Sequence, residues 1–125
     1  MNRVEITGNL ARVPEVGKMP NGTSVLDFCV AVNERWRDSS GEYVSRAEFI
    51  DCKIYGNRAE ALANWLEKGT KVAVSGKLRK DTWEDKQTGQ NRSRVYVIVD
   101  DIDFMSKRSG NVTEDDAAYA ASRMV

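Results

Sequence analysis

Hydrophobic and polar residues alternate with period 2 along most of this chain, and one stretch shifts to helical spacing. In Phe49-Ile50-Asp51-Cys52-Lys53-Ile54-Tyr55 the alternation puts Phe49, Asp51, Lys53 and Tyr55 on one face of a strand and Ile50, Cys52 and Ile54 on the other. Leu26, Phe28, Val30 and Val32 alternate with Asp27, Cys29, Ala31 and Asn33 in a longer strand that runs into Trp36. Residues 3 to 10 read as a first strand, and Pro14, Gly17, Pro20 and Asn21-Gly22 mark the stretch after it as loop and turn. Arg37-Asp38-Ser39-Ser40-Gly41 breaks the long strand, and residues 44 to 55 form the third. Val72 and Val74 restart the alternation on a face shared with Gly76 and Leu78, leaving Ser75, Lys77, Arg79, Asp81 and Trp83 on the other. Asp85 to Asn91 reads as a flexible loop, and Ser93 to Phe104 as the last strand.

Asn57-Arg58-Ala59-Glu60 predicts a capped helix start, with Asn57 accepting from orphan amides and Glu60 reaching back. Ala59, Leu62, Ala63 and Leu66 share a stripe, Gly69 follows as a stop, and Trp65 beside the stripe reads as packing. Three strands, one helix and two strands predict an all-β OB-fold with small α content. It would be a five-stranded Greek-key barrel with the helix between strands 3 and 4 plugging one end. A five-stranded sheet covered by one helix is the alternative. The domain is expected over residues 1–108. From Ser109 the character changes, and residues 109–125, with Thr113-Glu114-Asp115-Asp116 before an alanine run, are expected to be a short mobile tail.

Composition narrows the functional classes. The chain has no histidine, which excludes histidine-activated nucleophiles and histidine metal sites. Net charge is zero, which argues against binding duplex DNA by bulk basicity. Residues 1–108 nevertheless hold 18 Lys and Arg against 16 Asp and Glu, so part of the acidity lies in the tail. Cys29 and Cys52 have no metal or redox spacing. A hairpin centred between residues 40 and 41 would set them opposite each other, but their parities disagree, so both read as reduced structural thiols. Nothing approaches the roughly 18 apolar residues of a membrane helix, and the start carries no secretion signal, so a cytoplasmic protein is expected. Asp100, Asp101 and Asp103 invite a metal-dependent nuclease reading, but no complementary motif accompanies them, and a solvated strand edge explains them. No enzyme, metal or cofactor is expected.

What remains is a pattern of rings and cations. Phe49 and Tyr55 flank Lys53 on one face, Trp83 follows Lys77 and Arg79 on another, and Ile50, Cys52 and Ile54 already supply a core face. Flat, stackable, anionic single-stranded nucleic acid suits such a surface, since each base stacked on an aromatic contributes about 1–3 kcal/mol whatever the net charge. Arg3, Lys53, Lys77, Arg79, Arg92 and Arg94 are the candidates to track the backbone. Ordinary cross-strand packing is the competing account of Phe49 and Tyr55. Trp36 shares parity with Phe28 and Val30, so it would face outward only through a bulge or at a strand end.

The segments Asn9-Leu10, Pro14-Glu15-Val16, Met19-Pro20-Asn21-Gly22, Trp36-Arg37-Asp38, Glu48-Phe49, Tyr55-Gly56, Lys68-Gly69, Gly76-Lys77-Leu78-Arg79 and Trp83 resemble the bacterial single-stranded-DNA-binding proteins, SSB. The resemblance spans about residues 2 to 105, in order. It implies a non-catalytic OB barrel, assembled as a homotetramer around which single-stranded DNA wraps, with stacking positions at Trp36, Phe49, Tyr55 and Trp83. It further implies a nucleoid-associated role in DNA replication, recombination and repair. Ile50 and Asp51 stand where the family usually has a histidine and often a basic residue, so Asp51 is expected to repel phosphate near Phe49. The family's acidic C-terminal tip is absent, so recruitment of replication and repair proteins through it is not expected. The alternative function is an OB-fold interaction module that binds a protein partner first and nucleic acid weakly.

Overall fold

In the computed structural model, which describes residues 1–105, the chain forms six strands and one helix. In order these are β1 (Val4–Leu10), β2 (Glu15–Lys18), β3 (Ser24–Arg37), β4 (Tyr43–Tyr55), α1 (Asn57–Ala63), β5 (Lys71–Glu84) and β6 (Asn91–Met105). The strands lie in the order β1-β5-β6-β4-β3-β2, and a further pairing of β1 with β3 at Asn9↔Ala31 and Leu10↔Val30 closes a five-stranded barrel, the expected OB-fold architecture. Every ladder is antiparallel except β4 with β6, which run parallel and meet at Cys52↔Val97 and Lys53↔Ile98. The proposed tail, residues 109–125, lies outside the described residues.

The core is built from the alternating residues that the pattern singled out. Leu26, Phe28, Val30, Cys52, Ile54, Val72 and Val74 are buried together, joined by Leu10, Leu62, Leu66, Val97, Val99, Ile102 and Phe104. β6 contributes from both parities because its register shifts at a bulge. Ser75 faces Asp101 but Gly76 faces Val99, so Asp100 is the extra residue, and inward positions switch from Val97 and Val99 to Ile102 and Phe104. Gly76 is required there: a Cβ would overlap the carbonyl oxygen of Ile98. Gly8 likewise lets β1 cross against the carbonyl of Ala31. Asp101 and Asp103 face outward beside Ser75 and Ala73, and no group of three or more metal-capable side chains converges among the described residues.

Several expectations change. The stretch from Pro14 to Gly22, read as loop, contains β2, a four-residue strand paired with β3 and turned by Gly22 at φ 86°. Helix α1 is only seven residues long and starts after Gly56, so Asn57 lies inside it and makes no side-chain cap. Glu60 is committed elsewhere. It accepts from Ser24 Oγ at 3.0 Å and pairs with Lys18 at 3.4 Å, tying the β2 hairpin to the helix and lowering its own pKa. Leu66 and Trp65 follow the helix rather than extend it, with Leu66 buried and Trp65 packed against the core. Leu78, grouped by parity with the core valines, is exposed because β5 has by then left the barrel.

Candidate nucleic-acid interface

Strand register assembles the candidate face from four strands. Across the barrel wall, Asp27 on β3 pairs with Lys53 on β4, Lys53 lies beside Ile98 on β6, and Ile98 pairs with Lys77 on β5. The next outward steps along β5 and β6 set Arg79 against Tyr96, Asp81 against Arg94 and Trp83 against Arg92. Tyr55, Phe49 and Asp51 share the outward parity of Lys53, so three of the four predicted rings and all the predicted cations except Arg3 occupy one continuous surface.

At its centre a groove of about 370 Å³ is lined by Tyr55, Lys77, Arg79 and Ile98, with Met19, Asn21 and Thr23 closing it from the β2 hairpin. The floor beside it is a ring that sequence reasoning missed. Tyr96 is only 3% exposed and donates from its hydroxyl to Asp81 at 2.9 Å, with Lys53 Nζ 5.0 Å and the Arg94 guanidinium 5.8 Å from its ring centre. Burial, with hydrogen bonding to Asp81 and Tyr55, pushes its pKa up to about 12.

Ion pairing sorts the candidate cations. Arg94 Nε lies 3.3 Å from Asp51 and its Nη2 3.6 Å from Asp27, which Arg12 also holds at 3.0 Å. Burial opposes the charge on Arg94, but the two carboxylates outweigh it and raise its pKa. Asp51, expected to repel phosphate, is therefore neutralised, and Arg94 is occupied in doing so. Arg92 pairs with Asp85 at 2.9 Å, and Arg3 donates to Ser75 Oγ at 2.6 Å while lying 3.5 Å from Glu5, away from the groove. Among the described residues Lys53, Lys77 and Arg79 have no carboxylate ion pair; Lys77 and Arg79 line the groove with Tyr55, and Lys53 lies two residues before it on the same face of β4.

The remaining rings stand on arms that leave the barrel. Phe49 is 65% and Trp83 47% exposed, far more than cross-strand packing would leave. The β3–β4 arm ends in a turn where Asp38 Oδ1 accepts from Ser40 N, Ser40 Oγ and Glu42 N, and Gly41 takes φ 85°. In the β5–β6 arm, Asp85 Oδ1 accepts from Gln87 N, Asp85 Oδ2 accepts from Arg92 Nε, and Gly89 takes φ 73°, so the expected flexible loop is a hydrogen-bonded turn. Trp36 is 43% exposed without any bulge: its register to Val44 is regular, and it is uncovered because the ribbon extends past the barrel after Val32. Its parity therefore sets it on the opposite face of the arm from Phe49.

The single-strand binding protein family model matches residues 1–105. This chain belongs to the single-strand binding protein family. The single-stranded DNA-binding protein of Borreliella burgdorferi is 34% identical over 117 residues, covering 94% of this chain and 78% of its own. The fold recurs in a Plasmodium falciparum SSB solved with single-stranded DNA, with TM-score 0.74 and 25% identity over 85% of this chain and 96% of that one. It recurs again in the single-stranded DNA-binding protein of Thermus aquaticus, with TM-score 0.74 and 30% identity over 86% of this chain and 52% of that one. The family consists of binding proteins, not enzymes. Among the described residues no helix is long and apolar enough to cross a membrane.

Proposed function

We propose that this protein binds single-stranded DNA along the outer face of β3, β4, β6 and β5, with little sequence preference. Bases would stack on Phe49, Tyr55 and Trp83, with Trp36 reached from the far side of its arm, and phosphates would follow Lys53, Lys77 and Arg79. The observation that carries this reading is the groove that Tyr55 lines together with Lys77 and Arg79, a stacking ring across from two cations without a carboxylate ion pair among the described residues. Arg92 and Arg94 belong to the surface but act through their carboxylate pairs, and Arg3, held on Ser75, is outside the groove's lining.

The same reading makes the protein a coat for single strands during replication, recombination and repair, in the cytoplasm and assembled as a homotetramer. Those roles are inferred from family membership, and a light-scattering mass tests the assembly. Binding is tested by titrating tryptophan fluorescence with oligo(dT) at several salt concentrations. Quenching with a log–log slope of roughly −2 is expected if three cations each neutralise a phosphate at about −0.7 apiece. Tyr55→Ala should weaken binding by a factor of about 5 to 150, as 1–3 kcal/mol per stacked base implies. No quenching and no salt-dependent affinity would overturn the reading.

A further inference from the structure

The β3–β4 arm has two faces of different chemistry, and register decides which side chain goes where. One face carries Glu34, Trp36, Val44, Arg46 and Glu48, where Arg46 is already paired with Glu48 at 2.6 Å. That leaves Glu34 as its surplus charge. The other face continues outward from Phe49 through Ala47 and Asn33 to Arg35, Arg37 and Tyr43, with no acid among these six. At the tip the guanidinium of Arg35 lies 4.2 Å and that of Arg37 4.8 Å from the Tyr43 ring centre, and Arg37 Nη2 donates to Tyr43 Oη at 3.0 Å. Tyr43 remains 57% exposed, and neither arginine has a carboxylate partner among the described residues.

We propose that Tyr43, Arg35 and Arg37 form a second single-stranded-DNA subsite at the arm tip, continuing the Phe49 face. The proposal rests on the DNA-binding reading above and extends it to residues that the four-ring pattern omits. Phe49 and Tyr43 are six residues apart on one strand, roughly 20 Å at a strand's rise, so the subsite lies well beyond the central groove. A ring with guanidiniums against it presents a planar cationic stack, on which a base can lie while its phosphates meet positive charge. Arg37↔Tyr43 is the last pair before the Asp38 turn, and the hydrogen bond from Arg37 to the Tyr43 hydroxyl ties the ring to that end of the ribbon. The preferred face follows from the charge split: phosphate is attracted more strongly to the Arg35 and Arg37 face than to the Trp36 face, where Glu34 is a surplus acid.

The competing account is that the arginines merely stabilise a free two-stranded arm. Two variants separate the accounts: Tyr43→Phe keeps the ring, and Tyr43→Ile keeps strand propensity and cross-strand packing without one. With an oligo(dT) of about 30 nucleotides, longer than the 4–16 that one OB fold spans, Tyr43→Ile should bind at least about 5-fold more weakly while Tyr43→Phe binds like the parent. Arg35→Gln with Arg37→Gln should reduce the magnitude of the 30-nucleotide salt slope by about 1.4, back to the roughly 2 of the three cations Lys53, Lys77 and Arg79. Unchanged melting of each variant confirms that the fold is intact. If Tyr43→Ile and the double glutamine variant bind like the parent while Tyr55→Ala is weakened, the subsite is wrong and the groove stands. If the parent itself does not bind, both readings fall.

Discussion

The guanidinium of Arg94 lies 3.3 Å from the carboxylate of Asp51, so the acid on the ring-bearing face is neutralised by a base that would otherwise meet phosphate. Asp51→Asn releases part of that base, leaving only Asp27 at 3.6 Å. The variant should bind oligo(dT) more tightly and steepen the salt slope by up to about 0.7. Arg94→Ala leaves Asp51 without its ion-pair partner and Asp27 with Arg12 alone, and should weaken binding more than Lys77→Ala does. Both outcomes are read from one set of salt titrations, and equal losses for Arg94→Ala and Lys77→Ala would argue against a screening role.

The barrel tolerates no side chain at two points. At Gly8 a Cβ would run into the Ala31 carbonyl and lie 2.9 Å from Val30 Cγ1, and at Gly76 it would run into the Ile98 carbonyl. In each case backbone must move, so Gly8→Ala and Gly76→Ala should each destabilise by about 1–3 kcal/mol or more in thermal melts. Gly41→Ala has open space around it and only an unfavourable φ of 85°, so it should cost less, about 1 kcal/mol. A reversed ranking would mean that the two crossings relax easily.

Tyr96 sets an alkaline limit. Its pKa is raised from 10.0 to about 12, so the neutral phenol contributes stability in full below pH 10, and that contribution is lost as pH rises towards 12. Ultraviolet titration should show a tyrosinate step near pH 12, and Asp81→Ala, which removes the acceptor of the phenol proton, should move it down. A titration with no step above pH 11 would contradict the buried hydrogen bond.

Cys29 and Cys52 are both free and buried. Register pairs Phe28 with Cys52 and Cys29 with Asp51, which centres the hairpin on Ser40 and puts the two thiols on opposite sides of the sheet. Burial pushes the Cys52 thiol up to about 12, and burial together with Asp51 raises that of Cys29. Because the thiolate is the reactive form, native protein should react very slowly with a thiol-specific disulfide reagent at neutral pH, and both cysteines should react promptly once unfolded. Fast native labelling of Cys52 would show that the wall opens readily.

What was legible in the sequence depended on burial. The ring face could be read because Ile50, Cys52 and Ile54 have only one place to go, which sends Phe49, Lys53 and Tyr55 outward. β2 gave no such signal, since all four of its residues are exposed and nothing in it alternates against a core. Trp36 shows where parity stops informing: its side was deduced correctly, but exposure there depends on where the barrel ends beneath the strand. Tyr96 was obscured by the bulge at Asp100, which reverses the meaning of parity within β6. Arg94 with Asp51 joins residues 43 positions apart, and no local pattern carries a contact of that range.

The parallel contact between β4 and β6 is as narrow as the β1–β3 closure, two residue pairs each against fourteen between β5 and β6. It lies under the groove, with Tyr55 on one bank and Lys77 and Arg79 on the other. A strand of DNA bound there would cross this seam as a splint crosses a fracture, and the two banks could not part without releasing it. Amide hydrogen exchange at Cys52, Lys53, Val97 and Ile98 should therefore slow on binding more than in the long antiparallel ladders, making the ligand a mechanical member of the barrel that holds it.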